Sequence, residues 1–129
     1  MEQSGFADRP DYRVDILARR NRVTVSVGDV RLADSEHCLL VDEQDHGLVF
    51  YFPAEDVRSE LFVPDDQTSR CPFKGTATYR RFPRPEGDVS IWSYEDPFPE
   101  VVRLKGYVAF FQDQVDLRVG VATPAVSGR

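Results

Sequence analysis

Two lysines stand out among the side chains able to do chemistry. Of the sixteen basic residues only Lys74 and Lys105 are lysine; the others are arginine. Where arginine is the habitual charge, a retained lysine draws attention to what lysine alone offers. It is a compact ammonium whose proton affinity moves with burial, whereas arginine is a forked group that stays charged. Each lysine precedes a glycine, as Lys74-Gly75 and Lys105-Gly106, and an aromatic residue follows four positions after each glycine, Tyr79 and Phe110. This echo reads as two equivalent strands entering one site. Tyr51, Tyr79, Trp92 and Tyr94 fall in extended stretches near them, with Arg58 as a further cation. Aromatic walls with a few cationic groups suit a planar or anionic small molecule. Trp92 and Tyr94 share one strand face by period 2. A plain aromatic core, with tyrosine hydroxyls partnered at its edge, has the same composition.

Other chemistries are less well served. Cys71 is the candidate nucleophile, since Arg70 and Lys74 stand close enough in sequence to favour a thiolate, although a free cysteine also serves as a small buried hydrophobe. The soft metal ligands are His37, Cys38, His46 and Cys71. None belongs to a Cys-x-x-Cys motif, and the adjacent His37 and Cys38 point to opposite faces of a strand, so no metal site is expected. Nucleotidyl or phosphoryl transfer needs clustered carboxylates and a loop that cradles phosphate. Asp65-Asp66 and Glu95-Asp96 are adjacent pairs that diverge on a strand, Asp42-Glu43-Gln44-Asp45 reads as a polar loop, and no glycine-rich phosphate loop occurs. No motif requires a cofactor.

These residues must be positioned by a chain of 129 residues, which is one domain with one core. The core is expected over about 12–119, with 1–10 and 122–129 as peripheral tails. Hydrophobic residues make up 41% of the chain, which fits a globular protein rather than a disordered one. A net charge of −6 argues against affinity for nucleic-acid backbones. Two basic clusters, Arg19-Arg20-Asn21-Arg22 and Arg80-Arg81 with Arg84, sit beside turns and read as solvated loops. No run approaches the roughly 18 apolar residues of a membrane span, so no membrane partner is expected. The polar start Met1 to Pro10 and two cysteines 33 residues apart, without a disulfide framework, point to the cytoplasm.

The elements read as short strands between turn residues. Tyr12 to Ala18 alternates in part and Val23 to Val27 strictly, with Arg20-Asn21-Arg22 as a tight connection between them. Gly28-Asp29 then makes a hairpin into Val30 to Ala33. Cys38 to Val41 and Leu48 to Phe52 flank a polar turn over Glu43 to Gly47, and Pro53 ends the second strand. A single helical turn is expected over Ala54 to Arg58. Further strands are expected over Phe73 to Phe82 and Val89 to Tyr94, with a loop between them and a short helix over Pro97 to Leu104. Gly106 to Phe111 and Val115 to Val119 read as a final hairpin across Gln112-Asp113-Gln114. The expectation is an all-β domain with one or two short helices, a single tent or barrel-like body of short antiparallel strands.

Three stretches taken together carry a family likeness. They are Ala33-Asp34-Ser35; Tyr51-Phe52-Pro53 through Cys71-Pro72-Phe73-Lys74-Gly75 to Tyr79; and Trp92-Ser93-Tyr94 with Pro97 and Lys105-Gly106-Tyr107-Val108-Ala109-Phe110. In this order they resemble the domain-of-unknown-function family numbered 427, largely bacterial and fungal, over about Arg22 to Val119. The resemblance implies a β-tent, with sheets leaning together over a central pocket. Better-known tents hold zinc through two Cys-x-x-Cys motifs, and this chain has neither. Family members sometimes bear a nucleotidyltransferase label, but the Gly-Ser followed by Asp-x-Asp of such enzymes is missing here. Where many members read Thr-His-Cys-Pro-Tyr-Lys-Gly, this chain reads Ser69-Arg70-Cys71-Pro72-Phe73-Lys74-Gly75, and the lost histidine weakens a Cys-His catalytic reading.

The leading expectation is a binding or sensing module with a pocket formed by Tyr51, Cys71, Lys74, Tyr79, Trp92 and Tyr94. In it Lys74, with Lys105 or Arg58, would hold an anionic group. The alternatives are an enzyme using Cys71 or Lys74 as nucleophile or base in the same pocket, and a structural or protein-interaction domain without a pocket. Open strand edges are compatible with a homodimer.

Overall fold

The strict alternation of Val23 to Val27 has a direct structural cause. In the computed structural model, which describes residues 2–121, the three valines are buried and the two residues between them half-buried. The described residues form ten strands: β1 (Val14–Ala18), β2 (Val23–Val27), β3 (Val30–Ser35), β4 (Leu39–Glu43), β5 (Gly47–Pro53), β6 (Val63–Cys71), β7 (Gly75–Phe82), β8 (Val89–Tyr94), β9 (Tyr107–Phe110) and β10 (Asp116–Val119). Their helical segments are short 3-10 turns, of which Pro99–Leu104 is the longest. The tail expected over 122–129 lies outside the described residues.

All strand pairs are antiparallel and fall into two sheets. The larger has seven strands in the order β1-β4-β5-β9-β8-β7-β6, and the smaller has three in the order β10-β2-β3. The fold is therefore mostly β, as expected, and takes the two-sheet form rather than a closed barrel. One core joins the sheets. Val23, Val25, Val27 and Leu32 of the small sheet pack with Phe52, Ile91 and Phe110 of the large one. A second core lies on the opposite face of the large sheet, where Leu39, Val41, Tyr51, Ala77 and Tyr94 meet Phe98, Val101 and Leu104 from the segment carrying the longest 3-10 turn.

Two local expectations are corrected, and one strand is added. The final hairpin does not form: β9 inserts between β5 and β8, whereas β10 crosses to the small sheet and pairs with β2. Patterning and a short loop cannot separate a hairpin from a change of sheet, because both need the same turn. For the same reason β1 does not pair with β2 across Arg20-Asn21-Arg22; it pairs with β4. The hydrophilic stretch Val63–Cys71 forms the long edge strand β6, with a register shift between Asp65 and Thr68. Its polarity suits an unpaired edge that must not recruit other chains. By contrast, the Gly28-Asp29 hairpin, the β4–β5 hairpin and the exact span Val89–Tyr94 form as expected.

Candidate functional site

Register brings the aromatic residues together. Leu39 of β4 lies opposite Tyr51 of β5, Tyr51 opposite Ala109 of β9, Ala109 opposite Trp92 of β8, and Trp92 opposite Tyr79 of β7. Directly opposed residues point to the same side, so this row stands on the face away from the small sheet. Ala109 leaves room at the centre of the row. Trp92 fills part of it edge-on, 5.2 Å from the Phe111 ring and 6.1 Å from Tyr51, and its indole N–H donates to the Tyr51 hydroxyl at 3.1 Å.

Beside the row lies a cavity of about 300 Å³, walled by Val41, Val49, Tyr51, Trp92 and Tyr94 and closed at its polar end by Glu43, Lys74 and Cys71. His46 and Gly47 also border it. Five residues expected in a pocket, Tyr51, Cys71, Lys74, Trp92 and Tyr94, are therefore gathered there. Tyr79 stands one step further along the same row. It lines an adjoining hollow with Phe111 and Gln112, which shares Val49, Trp92 and Tyr94 with the first cavity.

The two other expected cations do not reach the cavity. Arg58 is exposed beyond β5, where its side chain pairs with Glu60 at 3.1 Å. Lys105 is exposed at the end of the Pro99–Leu104 turn. The Lys-Gly echo is a fold feature, since β7 and β9 flank β8, but only the first lysine turns inward. Both glycines have positive φ, +123° at Gly75 and +85° at Gly106, a conformation that favours glycine. At Gly75 a side chain would also meet the Asp96 carbonyl oxygen at 3.3 Å. Backbone geometry thus accounts for the repeated glycine.

Lys74 is 6% exposed and held in place by its own backbone, whose carbonyl accepts from the Phe98 N–H at 3.0 Å. Its ammonium donates to Glu43 Oε1 in a buried ion pair. The other carboxylate oxygen accepts from the Tyr12 hydroxyl at 2.5 Å and lies 3.5 Å from His46 Nε2. Burial opposes the charge of Glu43, but hydrogen bonds from Lys74 and Tyr12, reinforced by the Lys74 charge and His46, hold its carboxyl below the usual glutamate range. Burial first, and then Glu43, push the Tyr12 phenol well above its ordinary value. Burial likewise raises Tyr51 and Tyr94, so both phenols are neutral near pH 7. Tyr12 is fixed by stacking on Phe73, with ring centroids 3.8 Å apart.

Glu43 and Tyr12 are the site residues that sequence reading misses. By sequence Glu43 reads as part of a polar turn, yet it is the last residue of β4 and 6% exposed. The available signal was its place in the series Leu39, Val41, Glu43, where a charge continues the inward side of an apolar strand. Tyr12 carries a similar signal, since it starts the alternating series Tyr12, Val14, Ile16, but its partner Glu43 is not legible from it.

Cys71, at the end of β6, is half-buried on the cavity wall, and among the described residues its sulfur has no hydrogen-bond partner. Cys38 is fully buried, and burial pushes its thiol up to about 12. Among the described residues no three His, Cys, Asp or Glu side chains gather into a group that could hold a metal. The arginine clusters are engaged at the surface, Arg22 with Asp34 at 2.6 Å and Arg81 with Asp88 at 3.4 Å. Among the described residues no helix is long and apolar enough to cross a membrane.

Fold and site together define a two-sheet antiparallel β domain bearing a cavity with an ion-paired floor on the outer face of its larger sheet. The chain belongs to the family described as a domain of unknown function (DUF427), which its residues 15–120 match. No curated protein matches it. Tyr12, which completes the site, lies before the matched span.

Proposed function

We propose that this protein is a small-ligand binding or sensing module, with a planar molecule held against Trp92 and Tyr94 and its polar edge turned toward Lys74. The observation that carries this reading is the contrast between the cavity's apolar, aromatic walls and its buried Glu43–Lys74 floor. Apolar walls with a few fixed polar groups are the usual composition of a small-molecule site, and about 300 Å³ is at the lower end of the usual size. The ion pair changes the role first expected of Lys74. Its charge is already met by Glu43, so it serves as an oriented hydrogen-bond donor rather than a free anion clamp.

The reading is tested by native mass spectrometry of the full chain, first as purified and then with monocyclic and bicyclic aromatic carbonyls, carboxylates and hydrocarbons. The expected result is an added mass that disappears on denaturation and is reduced by narrowing the cavity with Val49→Phe, a substitution on its wall. If neither the purified protein nor any member of the panel at millimolar concentration shows such a mass, the proposal fails.

A further inference from the structure

The polar groups left unspent around the cavity identify the chemistry of its occupant. Among the described residues, Lys74 Nζ donates only to Glu43, which leaves two of its three N–H groups without a protein partner. Tyr94 is 7% exposed, and its hydroxyl has no protein partner among the described residues. The Tyr51 oxygen accepts the Trp92 N–H, leaving its own proton to give. Glu43 is the opposite case: each carboxylate oxygen already receives a donor, from Lys74 and Tyr12. The site therefore offers unpaired donors, while each oxygen of its principal acceptor already holds one donor. Buried donors are costly to leave unpaired, so a ligand oxygen acceptor is what the floor lacks.

Charge decides which acceptor. Glu43 and Lys74 cancel, and His46 at the cavity border is exposed and already directed at Glu43, so an entering carboxylate or phosphate would bring an uncompensated charge into a buried site on a chain of net charge −6. A carbonyl oxygen accepts the same donors without that cost. Shape extends the argument, because the cavity and the hollow beyond it share Val49, Trp92 and Tyr94 and continue to Phe111. In that hollow Gln112 is spent on the backbone of β5, accepting from Phe50 N–H at 3.0 Å and donating to the Leu48 carbonyl at 3.2 Å. The Tyr79 hydroxyl is likewise engaged with Ser69 at 2.5 Å. The far compartment thus offers ring surface and little free polarity.

Resting on the binding reading above, we infer that the ligand is an uncharged, elongated aromatic carbonyl compound, with its oxygen at Lys74 and Tyr94 and its ring system along Trp92 toward Phe111. A matched set of probes tests this: 2-acetylnaphthalene, 2-naphthoate and 2-ethylnaphthalene, which share a ring system and differ in the acceptor. Trp92 is the only tryptophan, so the protein has a single indole N–H resonance, and that N–H borders the cavity. Titration followed by the shift of this resonance gives an affinity for each probe.

The expected order is ketone tightest, with the hydrocarbon weaker by about tenfold, the worth of one hydrogen bond to a charged donor. The carboxylate should also be weaker than the ketone. Glu43→Gln removes the compensating charge while keeping an acceptor for Tyr12, and should reverse the order of ketone and carboxylate. A dispersed spectrum of the variant verifies folding, and the wild-type order decides the matter independently of that variant. Equal binding of ketone and hydrocarbon, or tightest binding of the carboxylate to the wild type, overturns the carbonyl assignment and leaves the binding reading standing. If none of the three moves the indole resonance at millimolar concentration, both are overturned.

Discussion

The seven-stranded sheet has two faces built from the same strands, and they are finished differently. Along β5, Phe50 and Phe52 turn toward the small sheet while Val49 and Tyr51 turn away. The first face is closed by β2 and β3, and at its centre Phe52 and Phe110, each fully buried, meet edge to face with centroids 5.4 Å apart. The second face has no sheet over it. A short turn with Val101 and Leu104 covers one part and Phe6 packs on another, while the part walled by Val41, Val49, Tyr51, Trp92 and Tyr94 is left open as the cavity. The first face lacks buried charge in its core cluster, whereas the second places Glu43 and Lys74 in contact. A filled apolar interface stabilises the fold by burial alone. A partly covered face can hold polar groups whose bonding is left incomplete, and such groups are what a ligand can meet.

The largest expected effect is on the filled face. Phe52→Ala should lower the unfolding free energy by about 3–5 kcal/mol, the usual loss when a buried phenylalanine leaves a void. Trp92→Ala on the cavity face should cost less, about 3 kcal/mol, because one side of its ring already borders the cavity. Urea unfolding of both variants compares the faces directly. Equal losses would mean that the cavity face is packed as tightly as the other.

The next effect isolates the ion pair. Lys74→Met leaves Glu43 buried without its cation and should cost about 3 kcal/mol, the lower end of the range for a broken buried pair, because Tyr12 still donates to the carboxylate. The double variant Glu43→Gln/Lys74→Met should recover most of that loss, because no uncompensated charge remains. If the double variant is as unstable as the single one, Lys74 acts through its packed stem rather than its charge.

The smallest effect concerns Tyr12. Tyr12→Phe should cost about 1.5 kcal/mol at neutral pH, the worth of one hydrogen bond to a carboxylate. The sign of its pH dependence follows from the depressed carboxyl of Glu43. That stability is fully present above the ordinary glutamate value of 4.5 and is lost as pH falls through the folded-state value. The variant has less depression to lose, so its stability gap to the wild type should narrow on going from pH 7 to pH 3. A gap that stays constant would mean that the Tyr12 hydroxyl stabilises the fold without acting on the Glu43 carboxyl.

Much of this organisation is legible before folding. Alternation in Val23 to Val27 fixes which residues are buried, and Gly28-Asp29 marks a hairpin. The lysine-poor composition singles out Lys74, and the aromatic strand residues lead to Tyr51, Trp92 and Tyr94. These are local properties, since period, turn chemistry and residue type act over a few positions. The same locality misplaces Arg58 and Lys105, which have suitable chemistry but sit outside the cavity.

The rest belongs to tertiary structure. Whether a turn returns a strand to its neighbour or sends it to another sheet depends on distant edges, which is why β9 and β10 separate. Glu43 and Lys74 are 31 positions apart, as are Tyr12 and Glu43, and no local pattern brings them together. Composition and patterning determine that this chain folds as a mostly β domain and which side chains it has available for chemistry. Only the packing of β4, the turn after β6 and the segment before β1 decides that Lys74 enters already paired, because burying a charge requires a counter-charge wherever in the sequence it is found.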